Sequence, residues 1–304
     1  MMHQARVGEL YMMAAAALWG LLPVISKQAY QHIPILMCAA LSAFVTAIFF
    51  AVLLTLRGEW RDLLCKTALA SSLISGVGIG VLFYGLVFWG QSMVPASTTS
   101  VLLLMEVFYS MLLLRVLGHE RLTRRQVVGA GVMVAGAIIV LAPNSASFLG
   151  LGELILLFAA IIPPIANYHM QRARKYVGAS SILFLRSCIS LTVICLLALW
   201  LEPLPSTSDL LAAAPWILIN GILIFGVSKI FWVEAIRRIP ISKAVAMNSL
   251  APLVTLAVAY WLLGEPAAWY QWVGCAPLTL GCWILVSNRS TKRTHQTSTP
   301  AAIE

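Results

Sequence analysis

Residues 95–139 of this chain are written a second time at 240–284, and that duplication limits what the chain can fold into. Pro95 recurs as Pro240, an offset of 145, and the same offset carries Ser97 onto Ser242, Leu117 onto Leu262, Glu120 onto Glu265 and Gln126 onto Gln271. It also superimposes Val128 on Val273, Gly129 on Gly274, Gly136 on Gly281, Ile139 on Ile284 and Gly76 on Gly221. Two apolar helices share some Leu, Val and Gly by chance, so the repeated Glu and Gln carry more weight. Gly8-Glu9-Leu10 returns as Gly152-Glu153-Leu154 at an offset of 144, which extends the echo to the start of the chain. A unit of about 145 residues is present twice.

Each unit is too apolar for water. With 61% hydrophobic and 10% charged residues, and a mean hydropathy of +0.91, the composition is that of a polytopic membrane protein. A membrane-spanning helix takes roughly 20 mostly apolar residues. Ten such runs are read at 8–28, 34–56, 67–90, 95–117, 125–142, 151–171, 180–201, 214–234, 240–262 and 269–287, five to each copy. The expected fold is all-α, with ten transmembrane helices in two five-helix repeats at 1–145 and 146–288 and a polar tail at 289–304. The first run has a partner in mid-chain, so it is expected to belong to the fold rather than to a cleaved signal peptide.

The net charge of +9 is distributed as an orientation signal, not as a nucleic-acid-binding face. Arg57, Arg61 and Lys66, then Arg121, Arg124 and Arg125, then Arg172, Arg174 and Lys175, then Arg237 and Arg238, all fall between alternate runs. The intervening loops at 91–94, 143–150, 202–213 and 263–268 hold no Lys or Arg. The positive-inside rule then places both termini in the cytoplasm of a bacterial inner membrane. Five helices per copy force the second copy to enter the membrane from the opposite side. The halves are therefore expected to be inverted about a pseudo-two-fold axis in the membrane plane, with a binding site near the midplane between them.

Other charged residues in the runs lie near their ends, but three stand at least five residues in from either end. Glu106 stands at the middle of the fourth, where a bare carboxylate costs about 2.5–3.5 kcal/mol on insertion scales. It must face protein or water, pair with a cation or carry a proton, and it is the first candidate for a substrate or proton site; a purely structural carboxyl is the alternative. Lys229 in the eighth run either pairs with Glu106, binds a substrate carboxylate, or snorkels to the interface. Its counterpart in the first copy is Tyr84. Arg186, nearer the end of the seventh run, is expected to snorkel. Trp19, Tyr84, Tyr109, Asn167 and Asn248 complete a candidate lining, with Tyr168 and His169 nearby. Tyr109 is included because it lies one turn beyond Glu106.

Pro23, Pro163, Pro164 and Pro252 interrupt backbone bonding within runs, which suits hinges beside a cavity. Gly129, Gly131 and Gly136 permit a close helix contact and offer a dimer face, so either a monomer or a homodimer is expected. The six cysteines contain no CxxC pair and read as small apolar residues; no metal or other cofactor is expected. HExxH, GxSxG and Asp-rich patterns are missing from the sequence, so an intramembrane enzyme is disfavoured.

The chain resembles the EamA-like family of the drug/metabolite transporter superfamily. The likeness rests on Trp19-Gly20, on Leu117-Gly118-His119-Glu120 and Leu262-Leu263-Gly264-Glu265, and on Gln126…Gly129…Gly136 and Gln271…Gly274…Gly281. It spans about residues 8–287. It implies a transporter of small metabolites, often an amino-acid exporter, with runs 1, 3, 4, 6, 8 and 9 around a central cavity. Two positions depart from the pattern. Met105-Glu106-Val107 occupies the place of a mid-helix Pro that Pro252 retains in the ninth run, and Pro163-Pro164 stands where the first run has Trp19-Gly20. The function expected is alternating-access transport of an amphipathic metabolite across the inner membrane, with proton exchange through Glu106. Efflux of lipophilic cations bound by Glu106 is the alternative.

Overall fold

A computed structural model describes residues 2–116, 124–141, 150–239, 244, 247–248, 250–264 and 268–286. The repeated Glu120 and Glu265, together with Lys243 and the polar tail, lie outside these residues. Those described form helices joined by short connections, with no strand among them. In chain order they are α1 (Met2–Gly20), α2 (Leu22–Tyr30), α3 (Ile35–Arg57), α4 (Lys66–Ser75), α5 (Tyr84–Met93), α6 (Ala96–Leu103), α7 (Met105–Val116) and α8 (Arg124–Leu141). Then follow α9 (Leu151–Ala159), α10 (Ile162–Ala173), α11 (Ala179–Leu201), α12 (Thr207–Leu218), α13 (Ser228–Arg238), α14 (Ala251–Leu263) and α15 (Trp269–Val286). Two π-helical segments, Gly76–Phe83 and Ile219–Val227, join α4 to α5 and α12 to α13.

Six helical stretches are long and apolar enough to cross a membrane: Gln4–Tyr30, Ile35–Arg57, Lys66–Met93, Leu151–Met170, Ala179–Leu201 and Thr207–Ala235. Shorter apolar helices accompany them. The protein is all-helical and polytopic. In α3 almost every residue is apolar, so hydropathy alone does not orient it. Phe44, Ile48, Val52 and Leu56, spaced four apart, form an exposed stripe, while Ser42, Thr46, Phe50 and Leu54 are buried. Lipid takes the large apolar face, and the small hydroxyl residues face protein, where their donors find partners.

Helix bounds and contacts repeat between the halves. Helix α11 begins and ends 144 residues after α3, and α15 begins and ends 145 residues after α8. The matched helices pack on each other, α3 on α11 and α8 on α15. In the second pair the contacts are reciprocal. A methyl group added at Gly136 would lie 2.8 Å from the Gly274 carbonyl oxygen, and one added at Gly281 would lie 2.6 Å from the Gly129 carbonyl oxygen. Gly129 and Gly136 thus face α15 of their own chain and are not free to form a dimer face; Gly131 alone has open space around it.

The same reciprocity recurs at the other pair. Gly76 packs against Arg186 and Ile189, and Gly221 packs against Ser42 and Val45. The Thr46 hydroxyl is shared between the Ser42 carbonyl of its own helix at 2.7 Å and the Gly221 carbonyl at 3.0 Å, and the Ser190 hydroxyl donates to the Gly80 carbonyl at 2.5 Å. These hydroxyls tie each π-helical segment to the helix that faces it. At the helix ends, Glu202 after α11 accepts from the Leu36 and Met37 N–H groups that open α3, each at 2.8 Å. Asp62 after α3 accepts from Gly178 N–H at the start of α11, at 2.7 Å. The repeated Gln also has a physical role at its second occurrence. Gln271 is buried, accepts from Ala268 N–H and donates to Thr98 of α6, holding α15 against that helix.

Candidate functional site

Helix interruptions frame the site. Leu21 separates α1 from α2, Leu104 separates α6 from α7, Ala160 and Ile161 separate α9 from α10, and Leu250 precedes α14. Pro23, Pro163 and Pro252 stand in the first turn after three of these breaks, where a missing N–H does least harm. The break at Leu104 has no proline. It is made by i→i−3 bonds, Leu104 N–H to Val101 and Val107 N–H to Leu104. A half-helix therefore starts just before Glu106 although the sequence lacks the proline that marks its counterpart.

Between the interrupted helices lies a cavity with about 90 Å³ open to water centres, room for several waters by the rule that one needs roughly 10–15 Å³. Its polar wall includes Trp19, Tyr84, Glu106, Asn167, Arg186 and Lys229. The wall is built from equivalent positions of the two halves that differ in chemistry. Tyr84 and Lys229 both line it, as do Phe83 and Ser228, Leu103 and Asn248, and Trp19 and Pro163. These pairs are offset by 144 or 145 residues. The cavity thus straddles the junction of the halves, and the backbone correspondence persists where the side chains have diverged.

The charges are arranged individually. The Lys229 ammonium sits 3.5 Å from the centroid of the Trp19 ring, a cation–π contact. The Arg186 guanidinium carbon is 5.7 Å from the centroid of Tyr84. Asn167 Nδ2 donates to Glu106 Oε1 at 3.4 Å, a long bond that holds the carboxyl loosely. Lys229 and Glu106 are near enough to interact electrostatically, yet no direct ion pair joins them. Trp19, Tyr84 and Phe225 form an aromatic cluster, with ring centroids 6.4 Å apart for Trp19–Tyr84 and 4.7 Å for Tyr84–Phe225.

Of the candidates read from sequence, Trp19, Tyr84, Glu106, Asn167, Lys229 and Asn248 are brought together on this cavity. Tyr109 is not. It packs with Phe108 against an apolar cluster that includes Met133 of α8 and Leu278 of α15. Three residues along a helix is a rotation of 60° from Glu106, enough to move it out of a narrow cavity. Lys229 does not snorkel. Arg186 departs furthest from expectation, being 5% exposed and set in the wall, against Tyr84. The signal available for it was the glycine pair opposite: Arg186 lies against both Gly76 and Gly80, whose missing side chains make room for it. Tyr168 is exposed and meets His169 edge-on; neither lines the cavity. Among the described residues no cluster of His, Cys, Asp and Glu is fit to hold a metal ion.

The profile of the EamA-like transporter family matches residues 6–142 and, a second time, residues 150–287. A protein of Streptantibioticus cattleyicolor named "Probable terminal-alkyne amino-acid exporter" is 26% identical over 70% of this chain and 71% of the relative. A protein of Salmonella typhimurium named "Probable amino-acid metabolite efflux pump" is 24% identical over 92% of this chain and 95% of the relative. A crystal structure with 18% identity superposes with a TM-score of 0.70, covering 91% of this chain and 96% of that one. At that identity the superposition shows a shared fold alone.

Proposed function

The chain belongs to the EamA-like transporter family, and on that premise we propose that it is a secondary exporter of amino acids or related amphipathic metabolites, working by alternating access. It is a membrane-embedded transporter of small molecules and not an enzyme. The observation that carries the finer reading is the cavity, which mixes charged, amide and aromatic groups at the junction of two equivalent halves. Such a junction is where a substrate is held while one half rocks against the other. The names of the two exporters support an amino-acid-like substrate.

The architecture that goes with this reading is ten spans in two inverted halves, 1–145 and 146–288, with both termini cytoplasmic. The reciprocal glycine contacts and the matching π-helical segments support the two-fold relation. Under this topology Met170, Leu183 and Trp232 of the cavity wall fall in the cytoplasmic halves of their spans. At the opposite end Gln91 donates to the Tyr30 hydroxyl at 2.6 Å, Tyr30 donates to the Phe88 carbonyl at 3.3 Å, and Gln28 donates across the halves to the Leu262 carbonyl at 2.9 Å.

Glu106 is the residue on which a proton and a substrate ammonium would compete. Lys229 already occupies the Trp19 face, where a lipophilic cation would stack, and Arg186 adds a second positive charge. Both features weigh against efflux of lipophilic cations. The test is counterflow in proteoliposomes with labelled amino acids and a lipophilic cation. Exchange of amino acids without the cation is expected; exchange of the cation alone would overturn the amino-acid reading.

A further inference from the structure

Arg186 carries more charge into the cavity than the described residues neutralise. Its side chain is 5% exposed, and it lines both the main cavity and a smaller one adjoining it. No described residue accepts a hydrogen bond from its guanidinium, whose only ring contact is with Tyr84. The Tyr84 hydroxyl beside it is buried and also lacks a partner. The guanidinium faces the cavity beside a phenolic hydroxyl that is itself buried and without a partner. Buried polar groups are almost always partnered, so an acceptor in the cavity would answer the Tyr84 hydroxyl and the guanidinium donors together.

The charge count agrees. The cavity wall holds Arg186, Lys229 and Glu106. If Lys229 and Glu106 are both ionised, the sum is +1; if a proton passes between them and neither is, the sum is again +1. In a low-dielectric interior an uncompensated cation is costly, and a substrate that brings one surplus negative charge removes that cost. We infer that Arg186 and Tyr84 form a carboxylate-binding subsite, and that the cavity selects amphipathic carboxylates with a net negative charge, such as acidic or N-acylated amino acids. A planar guanidinium matches a carboxylate in two-pronged fashion. The Trp19–Phe83–Phe225 side of the wall receives the apolar part, and Glu106 with Asn167 receives an ammonium where one is present. This inference rests on the reading of the chain as an amino-acid-type exporter and narrows its substrate class.

The experiment measures the cavity's charge without needing the substrate. In the full-length chain with all native cysteines replaced, a cysteine is placed at the cavity-lining, half-buried position Asn248 (N248C). Its reaction rates with an anionic and a cationic thiosulfonate of similar size are compared with those of a small free thiol. The anionic reagent is expected to be favoured on the order of tenfold over the free-thiol ratio. R186Q should abolish most of that preference and R186K should keep it, which distinguishes charge from a packing defect at this position. A ratio equal to the free-thiol value, or one favouring the cation, would overturn the proposal, as would an anionic preference unchanged in R186Q. Counterflow with glutamate, leucine and lysine supplies the second arm. Anionic preference with no amino-acid exchange would sink the exporter reading and leave the carboxylate subsite standing. Exchange of leucine or lysine in preference to glutamate would sink the charge selectivity and leave the exporter reading standing.

Discussion

The ammonium of Lys229 rests 3.5 Å from the centre of the Trp19 ring, so the two halves of the chain meet at the cavity through a cation on an aromatic face. An aromatic face returns about 0.5–2 kcal/mol to a cation, whereas removing an ammonium from water costs several kcal/mol even after relaxation. Stability alone does not account for a lysine at this place.

Replacing Lys229 by Met should therefore separate stability from function. The apolar side chain fills similar volume and removes the desolvation cost, so thermal stability in detergent should stay within about 1 kcal/mol of wild type or rise. Counterflow should fall at least tenfold, on the order of the loss expected when a buried charged partner of the substrate is removed. A variant that transports normally, or one that melts well below wild type, would assign Lys229 to the scaffold.

Glu106→Gln retains an acceptor for Asn167 Nδ2, which donates to this side chain at 3.4 Å, and it removes the proton-carrying group. Substrate exchange at equal pH on both sides should persist in part, since exchange requires no net proton movement. Stimulation of net flux by an imposed pH difference should disappear. Persistence of that stimulation at its wild-type size would exclude Glu106 as the coupling group.

How far each of these features was legible in the sequence depended on what each feature needs. The duplication was readable because the repeated polar residues are scarce, and Gln271 shows why one persisted: it satisfies Ala268 N–H and reaches Thr98 across a helix boundary. Glu106 and Lys229 were conspicuous because charge at that depth has no bland explanation. Arg186 was misjudged because depth along a run does not tell which way a side chain turns. Gly76 and Gly80 open the space it turns into, and they lie more than a hundred residues away in sequence. Tyr109 failed for a related reason. Helical spacing groups residues by face only within about 60°, and that rotation carries Tyr109 onto the apolar cluster beside α7. The glycines of α8 gave the right kind of contact and the wrong partner, since their mate is α15 of the same chain.

That last correction is measurable. A methyl at Gly136 would stand 2.8 Å from both Gly274 O and Leu278 N, and one at Gly281 would stand 2.6 Å from Gly129 O. Each is backbone that a rotamer change does not relieve. Gly136→Ala and Gly281→Ala should each destabilise the protein by about 1–3 kcal/mol, whereas Gly131→Ala, with open space around it, should be neutral. Melting temperatures of the three purified variants check this. A loss confined to Gly131→Ala would point to an intermolecular role for this helix and overturn the intrachain assignment.

The hydroxyl bonds to the π-helical segments give the most direct measure of whether the two halves are energetically equivalent. Thr46 bonds the Gly221 carbonyl and Ser190 bonds the Gly80 carbonyl, at 3.0 and 2.5 Å, and each also lies opposite the glycine that admits its helix. Side-chain hydrogen bonds between membrane helices average about 0.6 kcal/mol and reach about 1.7. Here both hydroxyls are buried, so values near the upper end are expected. Thr46→Val and Ser190→Ala should each lose about 1–1.5 kcal/mol, and because both line one small cavity the double variant should depart from their sum by about 0.5 kcal/mol or more. The functional consequence should differ. Gly80 adjoins Arg186, so loosening its segment should weaken the carboxylate subsite and raise the substrate concentration needed for half-maximal exchange. Thr46, like Ser190, lines the smaller cavity beside Arg186 and Tyr84, but the Gly221 it bonds lies against Ser42 and Val45 rather than against Arg186, so Thr46→Val should raise that concentration less than Ser190→Ala does. Equal effects of the two variants on transport would show that the π-helical segments act as hinges for the whole bundle, independently of Arg186.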